Sequence, residues 1–400
     1  IIMRVGFISI GTEIMLGDTL NTNGNSLAKA LLTNGYQLLY ELSVADKKKD
    51  IEIALQFLTD NTNVLIISGG LGPTEDDMTK EYISLITNNE LIEDEEHTKW
   101  MQDIWNKRGL KMPELNRKQS YFFNNYNAIP NTSGTALGAH LNYKNTEIFL
   151  TPGPPREFSP MVNDYVIPRI KELYSKNLFE YKYLTIYGVP ESNLSENINS
   201  FKPNNMELAY LPSYGIIKLR YDRQNITEKE ETQFIDGIKK FHHKNIISFS
   251  NRSLNKVVFD TLSSQKKNIS LVESITGGML ASLFVSLPGA SKVLSGSNVL
   301  YQNEQKLNYL GSDSLDSDWL KLASLLSQKN ISVSKSSIAL SVLGEAGPIS
   351  STKYKVGDVF ISLSDRTKST VNKYNFLGNR DDIINQTCNQ CLFDILKFLT

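Results

Sequence analysis

The stretch Val64-Leu-Ile-Ile-Ser-Gly-Gly-Leu-Gly-Pro-Thr-Glu-Asp-Asp-Met-Thr-Lys80 decides the fold of the first part of this chain of 400 residues. Its apolar beginning, Val64 to Ile67, predicts a buried strand. A turn dense in glycine follows, and glycine lets bare backbone approach a ligand closely. We therefore expect substrate contacts from this turn, at Ser68, Gly69, Gly70, Gly72 and Thr74.

The residues after the turn indicate a phosphate site that contains a metal ion. Thr74 is expected to cap a helix whose first turn carries Glu75, Asp76 and Asp77. A strand, a glycine loop and a helix N-terminus form the arrangement with which α/β sheets bind phosphate. Adjacent carboxylates would repel that phosphate unless a hard cation lies between them. The alternative is an ordinary turn whose carboxylates only interact with the helix dipole.

The bulk composition excludes several classes of protein. A chain of 400 residues is too long for one ordinary core, so we expect two or three domains. The net charge of −1 disfavours a protein that binds nucleic acid through bulk positive charge. No apolar run approaches the roughly 20 residues that span a bilayer, so we expect no membrane partner. With 2 cysteines and no visible secretory pattern, we expect a cytoplasmic protein.

Strands and helices alternate through the first 174 residues and predict an α/β domain with a mostly parallel sheet. Arg4 to Ile10 and Tyr36 to Val44 read as strands, and the helix between them opens at Asn21-Thr22-Asn23. Ligands of such sheets gather at the carboxyl ends of the strands. This edge adds four candidate substrate-binding residues, which are Gly11, Thr12, Glu13 and Asn23.

Two further loops are expected at the same site. The first contains Ser133, Gly134 and Thr135, which we predict to bind substrate. The second is stiffened by three prolines and carries Arg156, a candidate phosphate ligand, and Glu157, a candidate ligand of metal or water. The alternative for the second loop is a proline-capped helix start. The polar segment from 91 to 117 is predicted to be helical and to cover the site.

The remainder of the chain predicts two further domains. A polar linker begins at 175, and the following β-α-β-β-α-β order to residue 252 fits a small split-βαβ layer. From 253 to 400 a third, α/β unit presents Ser274 in a turn between a strand and a helix, where a nucleophile can be exposed. No histidine occurs after residue 253, so its base must be a lysine or a tyrosine, and Tyr301 and Lys306 are the candidates. The alternative is that Ser274 and Thr276 only cap the helix. A loop at Gly344 is expected to close this pocket.

Taken together, these motifs resemble the CinA (competence/damage-inducible) family over essentially the whole chain. The motifs are Gly11-Thr12-Glu13-Ile14-Met15-Leu16-Gly17, Gly69 to Asp77, Gly134-Thr135-Ala136-x-Gly138, Pro152-Gly153-x-Pro155-x-Glu157 and Glu273-Ser274-x-Thr276-Gly277-Gly278.

The resemblance implies a molybdopterin-binding-like first domain with three layers that hydrolyses ADP-ribose to AMP and ribose 5-phosphate with a divalent Mg, Mn or Co ion. It implies that Asp76, Asp77 and Glu157 bind the metal, with Asp77 catalytic. It also implies a C-terminal domain that deamidates nicotinamide mononucleotide through Ser274, with Thr276, Gly277, Gly278 and Gly344 at the substrate, and a homodimer. No direct nucleic-acid partner is expected.

The C-terminal sequence departs from the family pattern in several places. Glu345 replaces the usual isoleucine, Ile349-Ser350-Ser351 replaces a run of glycines, and Ile384 stands where a second arginine is expected after Arg380. A misplaced carboxylate or a missing arginine weakens the binding of a phosphate monoester. Two alternatives therefore stay open: a non-catalytic C-terminal sensor or dimerisation domain, and a protein that binds a pterin or nucleotide without converting it.

Overall fold

The structure is a computed structural model and describes residues 3–175, 180–350 and 352–400. The chain forms two compact units, residues 1–180 and 181–400. The predicted boundary near residue 253 lies inside the second unit, between its two sheets. Residues 176–179, part of the predicted linker, and Ser351 lie outside the described residues.

The first unit is built on a sheet of six strands in the order β2-β1-β3-β8-β7-β6, in which β2, β1, β3 and β8 are parallel. A separate ribbon pairs β4 with β5. The strands are β1 Val5–Ile10, β2 Leu38–Val44, β3 Val64–Ser68, β4 Leu91–Glu93, β5 Tyr121–Phe123, β6 Asn127–Ile129, β7 Gly138–Tyr143 and β8 Thr146–Thr151. The helices are α1 Thr12–Met15, α2 Asn23–Thr33, α3 Lys48–Asn61, α4 Thr79–Thr87, α5 Glu95–Lys107, α6 Pro155–Met161 and α7 Ile167–Leu173.

The sheet of this unit separates two hydrophobic cores, which confirms the predicted three layers. Successive side chains of a strand point to opposite faces, so Phe7 and Ile8 enter different cores. Phe7 packs with Leu27 of α2 and Phe158 of α6, whereas Ile8 packs with Leu55 of α3. The apolar strand at Val64 is buried along its whole length, as its sequence predicts.

Two local predictions for this unit are wrong. The helix after the glycine loop begins at Thr79, not at Thr74, so the acidic residues lie on an irregular loop that precedes it. The segment from 91 to 117 is not one helix, because it begins with β4, continues with α5 and ends in a 3₁₀ turn that starts at Glu114. In both cases a carboxylate bonds a nearby backbone amide, Asp77 that of Thr74 and Asp94 that of His97, and thereby fixes a different start.

The second unit contains two sheets. The first has the predicted split-βαβ order of elements, and its four strands lie in the order β10-β11-β9-β12. The second has five strands in the order β14-β13-β15-β16-β17, in which β14, β13 and β15 are parallel. The strands are β9 Tyr181–Tyr187, β10 Leu208–Ser213, β11 Ile216–Asp222, β12 Ile246–Ser248, β13 Ile269–Glu273, β14 Leu294–Val299, β15 Ile338–Gly344, β16 Asp358–Ser364 and β17 Ser369–Asn375.

The helices of the second unit are divided between its two sheets: the first two pack on the four-stranded sheet and the later ones pack around the five-stranded sheet. They are α8 Glu191–Asn199, α9 Glu228–His242, α10 Leu254–Ser264, α11 Met279–Val285, α12 Asn303–Leu310, α13 Trp319–Ser334 and α14 Arg380–Leu399. Cys388 and Cys391 are free and buried in α14, where they pack in the core. No helix within the described residues is long and apolar enough to cross a membrane.

A buried lysine fastens the 3₁₀ turn to the start of α4. The Lys80 Nζ atom donates hydrogen bonds to the carbonyls of Lys118, Gln119 and Tyr121 at 3.1, 3.2 and 2.8 Å. It also lies 4.5 Å from the centre of the Phe122 ring. Burial lowers the pKa of Lys80 to about 8. The lysine therefore gives up its proton more readily in the folded state than in the unfolded chain.

We expect this lysine to make stability depend on pH. Between the folded pKa of about 8 and the unfolded value of 10.5, the unfolded state binds more protons, so stability rises with pH. From pH 7.5 to 9.5 the free energy of unfolding of the wild type should rise by roughly 2 kcal/mol relative to Lys80→Met. Urea unfolding of both full-length proteins at the two pH values measures this difference. An equal pH response in the two proteins contradicts the assignment.

Candidate active sites

A small cavity of about 70 Å³ lies at the carboxyl ends of β1 and β3, beside the start of α2. The Asn23 amide donates to Ser68 Oγ at 2.9 Å and to the Gly153 carbonyl at 2.7 Å. The other end of this side chain, Oδ1, is buried and has no hydrogen-bond partner within the described residues. Buried polar atoms are rarely left unpaired, so this acceptor points to a ligand that carries an O–H or N–H group.

Contacts within the protein explain the conformation of the glycine loop at Gly69 and Gly70. Gly69 and Gly70 have φ angles of 111° and 66°, which favour glycine. A Cβ atom at Gly69 would lie 2.1 Å from the Ile10 carbonyl oxygen, and one at Gly70 would lie 2.1 Å from Thr79 Oγ1. These two glycines are therefore explained by the tight passage between β1 and α4, and a ligand is not needed to explain them.

The acidic loop, which carries Asp76 and Asp77, is held by hydrogen bonds between Thr74 and Asp77, and Thr74 does not cap a helix there. The Asp77 carboxylate accepts hydrogen bonds from the Thr74 amide, at 3.0 Å, and from the Thr74 hydroxyl. Asp77 also lies against Gly72, where a Cβ atom would come within 2.4 Å of its Oδ2. Thr74 thus fixes the Asp77 carboxylate and does not cap the helix.

Asp76 is an exposed carboxylate of this loop, as is Glu75. The Thr74 hydroxyl, a backbone amide and the Lys118 ammonium keep the pKa of Asp76 below its ordinary value. The Lys118 Nζ atom donates to the Thr74 carbonyl at 3.1 Å and pairs with Glu81 at 3.4 Å. Lys118 therefore brings a positive charge to the loop, a contribution that no sequence motif indicated.

The second glycine loop surrounds Glu157. The Asn131 amide donates to the Glu157 carboxylate at 2.8 Å, and a Cβ atom at Gly134 would lie 2.2 Å from Glu157 Oε2. Glu157 is 8% exposed, whereas the side chain of Arg156 projects into solvent. Gly134 and Glu157 therefore lie side by side, and Asn131 is the partner that the sequence did not reveal.

The other predicted residues of this edge contribute unequally. Glu13 lines the cavity, but Thr12 donates its amide and hydroxyl to Asp46, at 2.7 and 2.9 Å. The Ser133 amide donates to Asn131, and the Thr135 hydroxyl donates to Gln119. Across residues 3–175, 180–350 and 352–400, no three histidine, cysteine or acidic side chains approach one another as a ready metal-binding group.

In the second unit, a cavity of about 360 Å³ brings together the residues predicted for the nucleophile and its base. Ser274 follows the end of β13, and its amide donates to the Val342 carbonyl of the neighbouring strand β15. Because β13 and β15 are parallel, the loops after both strands border the same cavity. Its lining includes Ser274, Tyr301, Lys306, Trp319, Gly344, Glu345 and Arg380.

Glu273 fixes the turn that presents Ser274. This carboxylate is fully buried and accepts the amides of Gly278, Leu280 and Ala281, each at 3.0 Å. It also accepts the hydroxyls of Thr276 and Ser297, at 2.8 and 2.9 Å. These contacts satisfy the free N–H groups at the start of α11. A lone carboxylate that ends the apolar strand 269–273 is the sequence signal that could have revealed this role.

Three backbone amides of the turn, those of Ser274, Gly277 and Gly278, are already used and are not free donors to a ligand. The amides of Ser274 and Gly278 bond to Val342 and Glu273, and that of Gly277 bonds back to the Ser274 carbonyl. The predicted site residues Thr276, Gly277 and Gly278 therefore build the turn. Gly344 lines the cavity, and a Cβ atom there would come within 2.7 Å of Ile275.

The candidate base lies among groups that can also bind an anion. Burial lowers the pKa of Lys306, whose Nζ donates to the Tyr301 carbonyl at 2.9 Å. The Arg380 guanidinium donates to the Tyr301 hydroxyl at 2.9 Å and to the Gly347 carbonyl at 2.7 Å. Since the Tyr301 oxygen accepts the bond from Arg380, its own proton is available to a substrate.

With this geometry described, comparison with known proteins places the chain in a family. Residues 6–172 match the family described as a probable molybdopterin binding domain, and residues 251–399 match the CinA C-terminal domain. A CinA-like protein of Dictyoglomus thermophilum is 33% identical over 398 residues, which cover 95% of each chain. A putative competence-damage inducible protein of Alkaliphilus oremlandii is 32% identical over 394 residues, 95% of each chain.

The chain therefore belongs to the CinA family, and its first unit carries the family's molybdopterin-binding-like domain. Among solved structures, the protein CinA of Thermoplasma acidophilum is 25% identical, covers 42% of this chain and 97% of its own, and has a TM-score of 0.38. The molybdopterin biosynthesis enzyme MoaB of Thermus thermophilus is 18% identical, covers 43% of this chain and 93% of its own, and has a TM-score of 0.30.

The role of Glu273 can be tested by stability. Glu273→Gln replaces a two-oxygen acceptor with one oxygen and an amide group that faces donors. We expect the free energy of unfolding to fall by about 3 kcal/mol, because buried donors lose their partners. Urea unfolding measures the change, with Glu196→Gln on the exposed face of α8 as the control for loss of a carboxylate. A loss no larger than that of the control contradicts the role.

Proposed function

We propose that the chain is a hydrolase with two sites that act on pyridine nucleotides and their breakdown products. The first unit would hydrolyse ADP-ribose to AMP and ribose 5-phosphate, and the second would deamidate nicotinamide mononucleotide. The observation that carries the proposal is that Ser274, Tyr301, Lys306 and Arg380 line one cavity. The unpaired Asn23 Oδ1 supports a ligand in the first unit.

In the first unit, a divalent cation would be held by Asp76 and Asp77. Their oxygen donors fit Mg²⁺, Mn²⁺ or Co²⁺, since such ions commonly take one or two protein carboxylates and complete their shell with substrate phosphates. This explains why three acidic ligands are not needed. When bound, the cation would neutralise the pyrophosphate and activate water.

The protein residues of this site would orient the nucleotide. Asn23 Oδ1 would accept a hydroxyl of the substrate, and Lys118 would attract a phosphate at the acidic loop. Thr74 would hold Asp77 in place rather than contact the substrate. Glu157, fixed by Asn131, would border the site from the side of the second glycine loop.

In the second unit, Ser274 would attack the carbon of the nicotinamide carboxamide. Neutral Lys306 would take the proton from Ser274 Oγ as the serine forms a bond to that carbon. The proton would then pass to the leaving nitrogen, and ammonia would depart as the C–N bond breaks. Water would hydrolyse the resulting acyl-serine to the carboxylate product and restore Ser274. Tyr301 and Arg380 would stabilise the negative oxygen and the phosphate.

This assignment predicts which substitution removes which activity. Full-length protein is incubated with ADP-ribose and Mg²⁺, Mn²⁺ or Co²⁺, and separately with nicotinamide mononucleotide, while AMP and ammonia are measured. We expect Asp77→Ala to lower AMP release at least about 100-fold and Ser274→Ala to abolish only ammonia release. Asp60→Ala, at the exposed end of α3, is the control. The loss of both activities from one substitution contradicts the two-site proposal.

The role of Lys306 predicts a pH profile for ammonia release. Only the neutral amine can accept a proton, so kcat/KM should rise about tenfold per pH unit up to a pKa that burial places below 10.5. Lys306→Arg keeps the positive charge but has no accessible neutral form, so activity should fall by about 100-fold or more. Lys321→Arg, an exposed lysine of α13, serves as the control. An unchanged profile in Lys306→Arg excludes this base.

The rival proposals make different predictions in the same assays. A C-terminal sensor or dimerisation domain predicts AMP release without ammonia release. A protein that only binds a pterin or nucleotide predicts neither product. The cytoplasmic location is proposed from the low cysteine content. Dimerisation is proposed from the resemblance alone, and size-exclusion chromatography with light scattering tests it.

A further inference from the structure

We propose that Glu345 makes the second site selective for a positively charged aromatic ring next to the carboxamide. This inference rests on the proposed deamidation and adds the charge state of the substrate to it. The cavity would then bind two charged groups of one ligand. A cationic ring would lie at Glu345 and Trp319, and an anionic phosphate would lie at Arg380. A pyridinium nucleotide carries both charges, whereas its reduced, dihydropyridine form carries only the phosphate.

The first argument concerns the unpaired charge of Glu345. This residue is 8% exposed and lines the cavity that contains Ser274. One of its oxygens, Oε1, accepts the Thr352 hydroxyl at 2.6 Å. No ion pair to Glu345 occurs within the described residues, although Lys306 and Arg380 line the same cavity. A carboxylate with little access to water is costly without a cation, so a cationic ligand would gain affinity by supplying one.

The second argument concerns the two positive groups of the cavity, which are directed elsewhere. The Lys306 Nζ donates to the Tyr301 carbonyl, and the Arg380 guanidinium donates to Tyr301 and Gly347. Neither group therefore neutralises Glu345. The cavity keeps positive and negative groups apart, which is the arrangement that a ligand with both charges requires.

The third argument concerns the aromatic wall. Trp319 lines the cavity, and its ring packs against Tyr354 and Phe360, with centroid distances of 4.8 and 5.7 Å. These contacts hold the indole in place before a ligand arrives. Indole is the aromatic side chain that attracts cations most strongly. A carboxylate and a fixed indole that line the same cavity together favour a flat cation over its neutral analogue.

The test compares nicotinamide mononucleotide with its dihydro form, in which one added hydride removes the positive charge and the aromaticity of the ring. Calorimetry measures both affinities on the full-length chain with Ser274→Ala, which prevents turnover. In this background we expect tighter binding of the cationic ligand. Adding Glu345→Gln, which keeps an acceptor for Thr352, should weaken the cationic ligand about tenfold and leave the dihydro ligand unchanged. The unchanged dihydro affinity shows that the variant is folded.

The remaining outcomes distinguish failure of the proposed deamidation from failure of the inferred charge selectivity. No preference in the parent protein, no binding of either ligand, or an equal change for both ligands in Glu345→Gln overturns the inference. Adding Glu196→Gln instead must leave both affinities unchanged. If the wild type releases no ammonia but the charge preference depends on Glu345, deamidation fails and the inference stands. If ammonia is released and the preference is independent of Glu345, only the inference fails.

Discussion

The position of both candidate sites depends on the constraint that neighbouring parallel strands end at the same edge of a sheet. In the first unit, β1 and β3 run side by side, and Ser9 pairs with Ser68 at their ends. In the second unit, β13 and β15 do the same, and Glu273 pairs with Val342. The chain must leave each strand by a tight turn, so backbone and polar side chains concentrate where a ligand can reach them.

Buried or half-buried carboxylates build these turns. Asp77 bonds Thr74 and lies against Gly72, Glu157 bonds Asn131 and lies against Gly134, and Glu273 gathers the amides at the start of α11. In each case the carboxylate accepts bonds from the protein's own donors. An acidic residue in a motif of this family can thus have a structural duty beside, or in place of, a chemical one.

The strand and helix pattern could largely be predicted from the sequence, because apolar runs and their periods depend on local composition. The order of the split-βαβ elements agrees with the structure. What could not be predicted were the partners of polar side chains. Thr74 donates to Asp77 where a helix cap was expected, Asn131 donates to Glu157, and Glu273 accepts amides of the following turn. These contacts depend on three-dimensional geometry, which the spacing of residues along the sequence does not reveal. The sequence did identify Ser274, Tyr301 and Lys306, which share one cavity.

The close approach of Gly72 to Asp77 has a consequence for how this family can change. Adding a single methyl group at residue 72 would occupy the space that the carboxylate fills, because the distance to Oδ2 would be only 2.4 Å. Glycine is therefore required at residue 72 as long as residue 77 is an aspartate. A lineage that replaces the aspartate with a smaller residue frees position 72 to vary, so an alanine at residue 72 would serve as a mark of relatives without a carboxylate at residue 77.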